Sequence, residues 1–239
     1  MKLTIVQTGA VPAPLQSQFI EYRLMFRAMF DATGMAFGYD DVNVEAGDAL
    51  PDPAALEGIV ITGSPAGVYE DHAWLPPLRD FIRNAYAAGT PMLGICFGHQ
   101  IMADALGGDV RKSEKGWGMG RHQYQVRQRP GFMADAPDTM LVACSHQDQV
   151  IVPPAEAEVI LGSDFAPNAG LLYKSGKALS FQPHPEFDDD YARALVELRR
   201  GRAPDDVISA ALSSFAKPSD SPRLGTYIAR FLQDAASAA

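Results

Sequence analysis

The chain has 239 residues, 47% of them apolar, enough to bury a full core as one large domain or two small ones. Twenty-nine acidic against 20 basic side chains give a formal net charge of −9, which repels nucleic acid and anionic membrane surfaces and favours a small neutral or zwitterionic substrate. The two cysteines, Cys96 and Cys144, are too few for a disulfide framework and read as free thiols of a reducing compartment.

The opening apolar run ends at Gln7 and Gly9, well short of a signal peptide's apolar region, and no later stretch approaches the roughly 18 apolar residues of a membrane span. The expectation is a cytoplasmic protein with no membrane partner. Leu3 to Gln7 reads as a first strand. Phe19, Tyr22, Phe26, Met29 and Phe30 then recur at helical spacing, with Gly34 placed to stop the helix. Gly58 to Ile61 is a second buried run; Leu78, Phe81, Ile82 and Tyr86 repeat the helical pattern up to Gly89, and Met92 to Ile95 leads into a helix over Gln100 to Leu106. The runs at 58, 92 and 178 are almost continuously apolar, as strands covered on both faces should be. Strand and helix alternating in this way predict an α/β fold with a central, mostly parallel sheet and helices on both faces.

From Asp109 to Lys177 the pattern changes to short pieces such as His122 to Arg127, Met140 to Ala143 and Val159 to Leu161, separated by Gly, Pro and Asp. These predict antiparallel additions at the sheet's edge. After the strand at Ala178 to Phe181, helices return through Leu195 and Leu198, and again from Pro204 with Asp205 and Asp206 in a first turn. Leu224, Tyr227, Ile228, Phe231 and Leu232 form the stripe of a last helix, expected to cover the core or to join a second copy. The organisation predicted is one domain over 1–190 with a helical extension over 191–239 packed on it.

Pro91 to Gln100 runs from a buried strand into a helix with no loop between, and Cys96 sits on the turn. Gly94-Ile95-Cys96-Phe97-Gly98 is the thiol counterpart of the Gly-x-Ser-x-Gly elbow, whose small residues let the backbone bend and expose the nucleophile. A thiol at a helix N-terminus also faces the positive ends of the peptide dipoles, which favours thiolate. Taken alone, the same pentapeptide equally suits a buried structural cysteine between packing glycines. The segment Ala178 to Phe187 places His184 and Glu186 directly after another buried strand. If the two strands are parallel, both motifs emerge at the carboxyl edge of the sheet, where open α/β folds carry their sites. His184 would then exchange protons with the thiol and the leaving amine, and Glu186 would orient the imidazole. Pro183 and Pro185 stiffen the intervening loop.

Gly94 to Gln100 together with His184-Pro185-Glu186 resembles the class I, or triad, glutamine amidotransferases, which include the glutaminase parts of GMP synthetase and carbamoyl phosphate synthetase. The resemblance runs from the first strand to about residue 190. It implies a flavodoxin-like fold, a catalytic triad of Cys96, His184 and Glu186, and no cofactor. Ile61-Thr62-Gly63-Ser64-Pro65 stands where the family has a Gly-Gly-Pro turn, which implies an oxyanion hole from the N–H of Phe97 and that of Ser64, or of Gly63. Ser64 departs from the family's second glycine, which keeps an amide donor but puts the torsions there in question. Gln100 and Ser145-His146-Gln147-Asp148 resemble the family's contacts to the amino-acid end of bound glutamine, whereas His99 and Cys144 read as packing residues. The five histidines show no ligand spacing, so no metal is expected.

The implied chemistry is acyl transfer: Cys96 attacks the side-chain amide of glutamine and water hydrolyses the γ-glutamyl thioester. The ammonia goes to a separate synthetase, or else the substrate is a γ-glutamyl peptide or amine cleaved for its own sake. Lys115-Gly116-Trp117-Gly118-Met119-Gly120 resembles a stretch of stand-alone relatives, γ-glutamyl peptidases among them, and equally fits a glycine-rich hairpin with a buried Trp. A non-catalytic binding or regulatory module is the remaining alternative, against which the intact Cys96, His184 and Glu186 argue.

Overall fold

A computed structural model describes residues 1–237. The first half of the chain alternates strand and helix: β1 (Lys2–Gln7), α1 (Tyr22–Asp31), β2 (Gly38–Asn43), β3 (Ile59–Ile61), α2 (Leu75–Ala88), β4 (Met92–Ile95) and α3 (Phe97–Ala105). Helix α2 closes on Gly89, whose φ of 71° is a left-handed conformation that a Cβ would oppose. Helix α1 starts at Tyr22 rather than Phe19, because Glu21 before it is extended. Phe19 instead packs its ring edge-on against Tyr191, 5.1 Å away.

The middle of the chain is all strand: β5 (Asp109–Lys112), β6 (Gly118–Val126), β7 (Thr139–His146), β8 (Asp148–Val152), β9 (Ala157–Gly162) and β10 (Gly170–Tyr173). After β11 (Ala178–Phe181) come α4 (Asp189–Glu197), α5 (Asp205–Ser214) and α6 (Ser221–Ser237). Nine strands join one sheet in the order β2-β1-β3-β4-β11-β10-β9-β6-β7. The pairings from β2 to β11 are all parallel, and those from β11 to β7 are all antiparallel. Strands β5 and β8 form a separate antiparallel ribbon. The expected mostly parallel core with antiparallel additions is therefore present.

Alternation along each parallel strand divides the core in two. Leu3 and Ile5 of β1, Val60 of β3 and Leu93 of β4 join Phe26 and Phe30 of α1 and the stripe Leu224, Tyr227, Ile228, Phe231 and Leu232 of α6. Val6, Ile59, Ile61 and Met92 point the other way, onto Leu78 and Ile82 of α2 and Ile101 and Met102 of α3. Both faces of the sheet are thus covered by helices, and the stripe on α6 is spent on the core. Helices α4 and α5 lie over the antiparallel end, where the buried Arg121 of β6 ties them down by pairing with Asp189 and the Lys217 carbonyl.

The glycine-rich run after Lys115 forms no hairpin turn of its own: Gly118 to Gly120 opens β6 and pairs with β7. Gly120, at φ 78°, leaves room for α5, since a Cβ there would lie 2.6 Å from the Ala211 carbonyl oxygen. Trp117 is half-buried rather than buried.

Gly94 and Gly98 set the junction of β4, α3 and β3. A Cβ on Gly98 would stand 2.2 Å from the Ile61 carbonyl oxygen, and one on Gly94 would stand 2.4 Å from that of Gly98. These obstacles are main-chain atoms, so only a shift of whole elements relieves them. Gly98→Ala should accordingly cost about 2–3 kcal/mol, read as a lower urea midpoint at unchanged slope. A midpoint equal to that of the native chain would refute this close approach.

Candidate active site

Cys96 ends β4 and caps α3, with φ 53° and ψ −102°. Among the described residues it is the one non-glycine with positive φ, a conformation that costs on the order of 1–3 kcal/mol. Neighbours hold it there: its N–H donates to the Phe181 carbonyl at 2.8 Å, and its carbonyl accepts from the Gln100 N–H at 3.0 Å. The next turn is docked by the Gly98 N–H on the Thr62 carbonyl, 3.1 Å away, while the N–H of Phe97 finds no protein acceptor among the described residues. The Phe97 ring turns away and packs on Trp74.

Strand β11 lies beside β4 in parallel register, Phe181 opposite Ile95, so the segment after it passes the thiol. Gln182 approaches first, its Nε2 3.6 Å from the Cys96 sulfur. His184 follows within electrostatic reach of the Cys96 sulfur, and its Nδ1 lies 2.7 Å from Oε1 of Glu186. Phe187 stacks flat on the imidazole at 3.9 Å, and the His184 N–H donates to the Ala143 carbonyl at 2.8 Å, so ring and backbone are both fixed. Burial works against charge on this imidazole, but the Glu186 carboxylate and the Cys96 sulfur outweigh it and push the pKa up to about 10. Oε2 of Glu186 is buried with no partner among the described residues.

The Gly63–Ser64 turn borders both groups. A Cβ on Gly63 would lie 3.0 Å from Cε1 of His184 and 3.8 Å from Cβ of Cys96, which accounts for glycine there. Thr8 fixes the approach to this turn by donating its hydroxyl to the Thr62 carbonyl at 3.0 Å and its N–H to the Thr62 hydroxyl at 3.1 Å. Ser64 stays outside the left-handed region, so its replacement of the family glycine strains nothing.

A cavity of about 550 Å³ opens above the thiol, lined by Gly63, Ser64, Cys96, Gln100, the whole of Ser145-His146-Gln147-Asp148, and His184. The structure therefore gathers the sequence-predicted residues, except that Glu186 stands behind the imidazole and Phe97 offers only its backbone. Gln100 donates to the Asp148 carbonyl at 2.9 Å and to Oε1 of Gln182 at 3.2 Å. Nδ1 of His146 lies 3.0 Å from that same carbonyl; burial pushes its pKa down to about 3 and keeps the ring neutral. Burial raises Asp148, whose carboxylate accepts from the Tyr69 hydroxyl at 3.2 Å.

His99 bonds Ser180 at 2.8 Å, away from the cavity, and burial takes its pKa down to about 3. Burial takes the Cys144 thiol up to about 12, which suits packing and not nucleophilic attack. Among the described residues no group of three or more His, Cys, Asp or Glu could hold a metal ion, and no helix is long and apolar enough to cross a membrane. The cavity also has walls that sequence reasoning missed: Tyr22, Tyr69, Arg199, Arg202 and, as a lining residue, Trp117. Gln182 was missed as well, although its place at the carboxyl end of a buried strand was a usable signal.

Comparison with known proteins identifies the family. A family model described as glutamine amidotransferase class-I matches residues 35–194. A glutamine-hydrolysing GMP synthase of Aquifex aeolicus is 36% identical over 129 residues, 54% of this chain and 24% of that protein, so the chain spans about a quarter of its length. Gamma-glutamyl peptidase 2 of Arabidopsis thaliana is 30% identical over 149 residues, 61% of this chain and 60% of that one. In fold, the crystal structure of a glutamine amidotransferase from Thermotoga maritima superposes with a TM-score of 0.77 at 20% identity, over 99% of this chain and 98% of that one. The chain belongs to the class-I glutamine amidotransferase family.

Proposed function

We propose that the chain is a cysteine amidohydrolase that cleaves γ-glutamyl amide bonds, with glutamine as the simplest substrate. The observation that carries this reading is the thiol of Cys96, held at φ 53° against an imidazole that Glu186 pins at 2.7 Å. The sulfur of Cys96, its proton passed to His184, attacks the γ-carbonyl carbon, and the oxyanion accepts from the N–H of Phe97 and that of Ser64 or Gly63, each such donor contributing roughly 3 kcal/mol. The C–N bond then breaks, the leaving nitrogen takes its proton from His184, and a γ-glutamyl thioester remains. Water, deprotonated by His184, hydrolyses it and frees glutamate and the thiol. Asp148 suits the α-ammonium group, with Gln100, Ser145, His146 and Gln147 around the amino-acid end.

With glutamine the released amine is ammonia, which a separate synthetase would consume. With a γ-glutamyl peptide or amine it is a larger molecule, a reading favoured by a cavity within the size range of drug-like ligands and by the likeness to a protein named gamma-glutamyl peptidase 2. Incubation with glutamine and with γ-glutamyl dipeptides, following ammonia and glutamate, separates the two. No glutamate from any of them, together with no Cys96 adduct from a glutamine-mimicking electrophile, would leave only a binding module.

Cys96→Ala should lower turnover at least about 1,000-fold while Cys144→Ala leaves it intact. The reverse result would identify the wrong thiol. His184 supplies a second prediction. Because its folded pKa lies above the ordinary imidazole value of 6.5, its charged form adds stability that is complete below about pH 6.5 and is lost as pH rises through about 10. Glu186→Gln removes the largest group that raises it and leaves burial opposing the charge, so the ring should lose its proton at lower pH. Histidine NMR titration of the variant measures this, and an unchanged midpoint would remove Glu186 from the proposed triad.

A further inference from the structure

Past α4 the chain places two arginines at the cavity, Arg199 and Arg202, beyond residue 194 where the family match ends. Arg200 between them is paired with Glu197, whereas neither Arg199 nor Arg202 has a carboxylate partner among the described residues. The Arg199 guanidinium lies 4.4 Å from the Trp117 ring centre, and its buried Nε has no acceptor among the described residues. Its titratable neighbours are Tyr22, Tyr191 and Arg202. Tyr191 donates to the Tyr22 hydroxyl at 2.9 Å, so Tyr22 keeps its own O–H for the cavity it lines. Tyr22 in turn stands within electrostatic reach of Cys96 and Glu186.

The acidic lining groups keep different company: Asp148 has Tyr69, Lys112 and Glu70 about it. One part of the cavity is therefore suited to an ammonium group and another, beside the triad, to an anion. In a chain of net charge −9, an anionic substrate portion needs such a local exception. Arginine's planar fork matches a carboxylate through two parallel hydrogen bonds, and stacking on Trp117 holds one fork in orientation.

We infer that Tyr22, Trp117, Arg199 and Arg202 form a leaving-group subsite that binds the carboxylate of an amino acid released from a γ-glutamyl peptide. Ammonia has no such group, so the subsite makes the peptide the preferred substrate over glutamine. This rests on the proposed γ-glutamyl hydrolysis and names its substrate class. A purely structural role is the competing account, in which the arginines only complement the C-terminal end of α4.

The test compares kcat/KM for γ-glutamylglycine, γ-glutamylglycinamide and glutamine. The native chain should prefer the free carboxylate over its amide by about tenfold or more, the range of a charge-assisted hydrogen bond. Arg199→Gln should bring that ratio toward one. Arg202→Gln, at an exposed position, should narrow it too and keeps the test open if the first variant folds poorly. Calorimetric binding of the two glycine compounds to Cys96→Ala should show the same preference. Native chain that cleaves glutamine but treats glycine and glycinamide compounds alike overturns the subsite and leaves the hydrolysis standing. Variants that slow both compounds equally also overturn it, in favour of the structural role. If none of the three is cleaved, the hydrolysis reading falls and takes the subsite with it.

Discussion

Everything at the candidate site depends on the parallel pairing of β4 with β11. Met92 to Ile95 and Ala178 to Phe181 lie far apart in sequence, yet their register continues past the strand ends into the Cys96 N–H bond to the Phe181 carbonyl. That bond fixes one side of the bend at Cys96, and the residues after Phe181 are carried directly past the sulfur. The parallel arrangement is itself possible only because helices cover both faces, which keeps such apolar strands from water. Gly94 and Gly98 allow the close approach that the pairing requires.

Burial acts on the four inner histidines alike, and what differs is the company each keeps. His99, His122 and His146 are all shifted down by loss of solvent and stay neutral. His184 is buried as deeply but shifts the other way, because Glu186 and Cys96 flank it. Two of these histidines line the cavity: His146 stays neutral and serves as a hydrogen-bonding wall, which leaves His184 as the ring suited to the proposed proton transfers. Phe187 and Tyr22 add an aromatic floor, with Tyr22 stacked 6.0 Å from Phe187.

Much of this was legible in the amino-acid sequence, and the reason is local. Strands β4 and β11 have the predicted limits because an uninterrupted apolar run has one way to be buried, and α2 ends where Gly89 allows it. Strand β2 was not legible: Gly38-Tyr39-Asp40-Asp41-Val42-Asn43 is an edge strand whose charges bind Lys2, Arg23 and Arg27 rather than a core. Strands β5, β8 and β10 are four or five residues long and defined by partners that no local pattern names. The motif residues around Cys96 and His184 announced themselves, but Tyr22 lies in an ordinary helical pattern and Arg199 and Arg202 in the turn between α4 and α5. Only tertiary packing brings them to the cavity.

The left-handed backbone at Cys96 has a further consequence. Under the proposed hydrolysis, the chain spends stability at the one position that the chemistry cannot surrender, since glycine would adopt the same torsions freely while lacking sulfur. Heat tolerance and activity therefore pull in opposite directions at this residue. Under selection for robustness alone, the proposed nucleophile would be among the first side chains to disappear, and the surviving fold would keep the shape of its cavity without the proposed reaction.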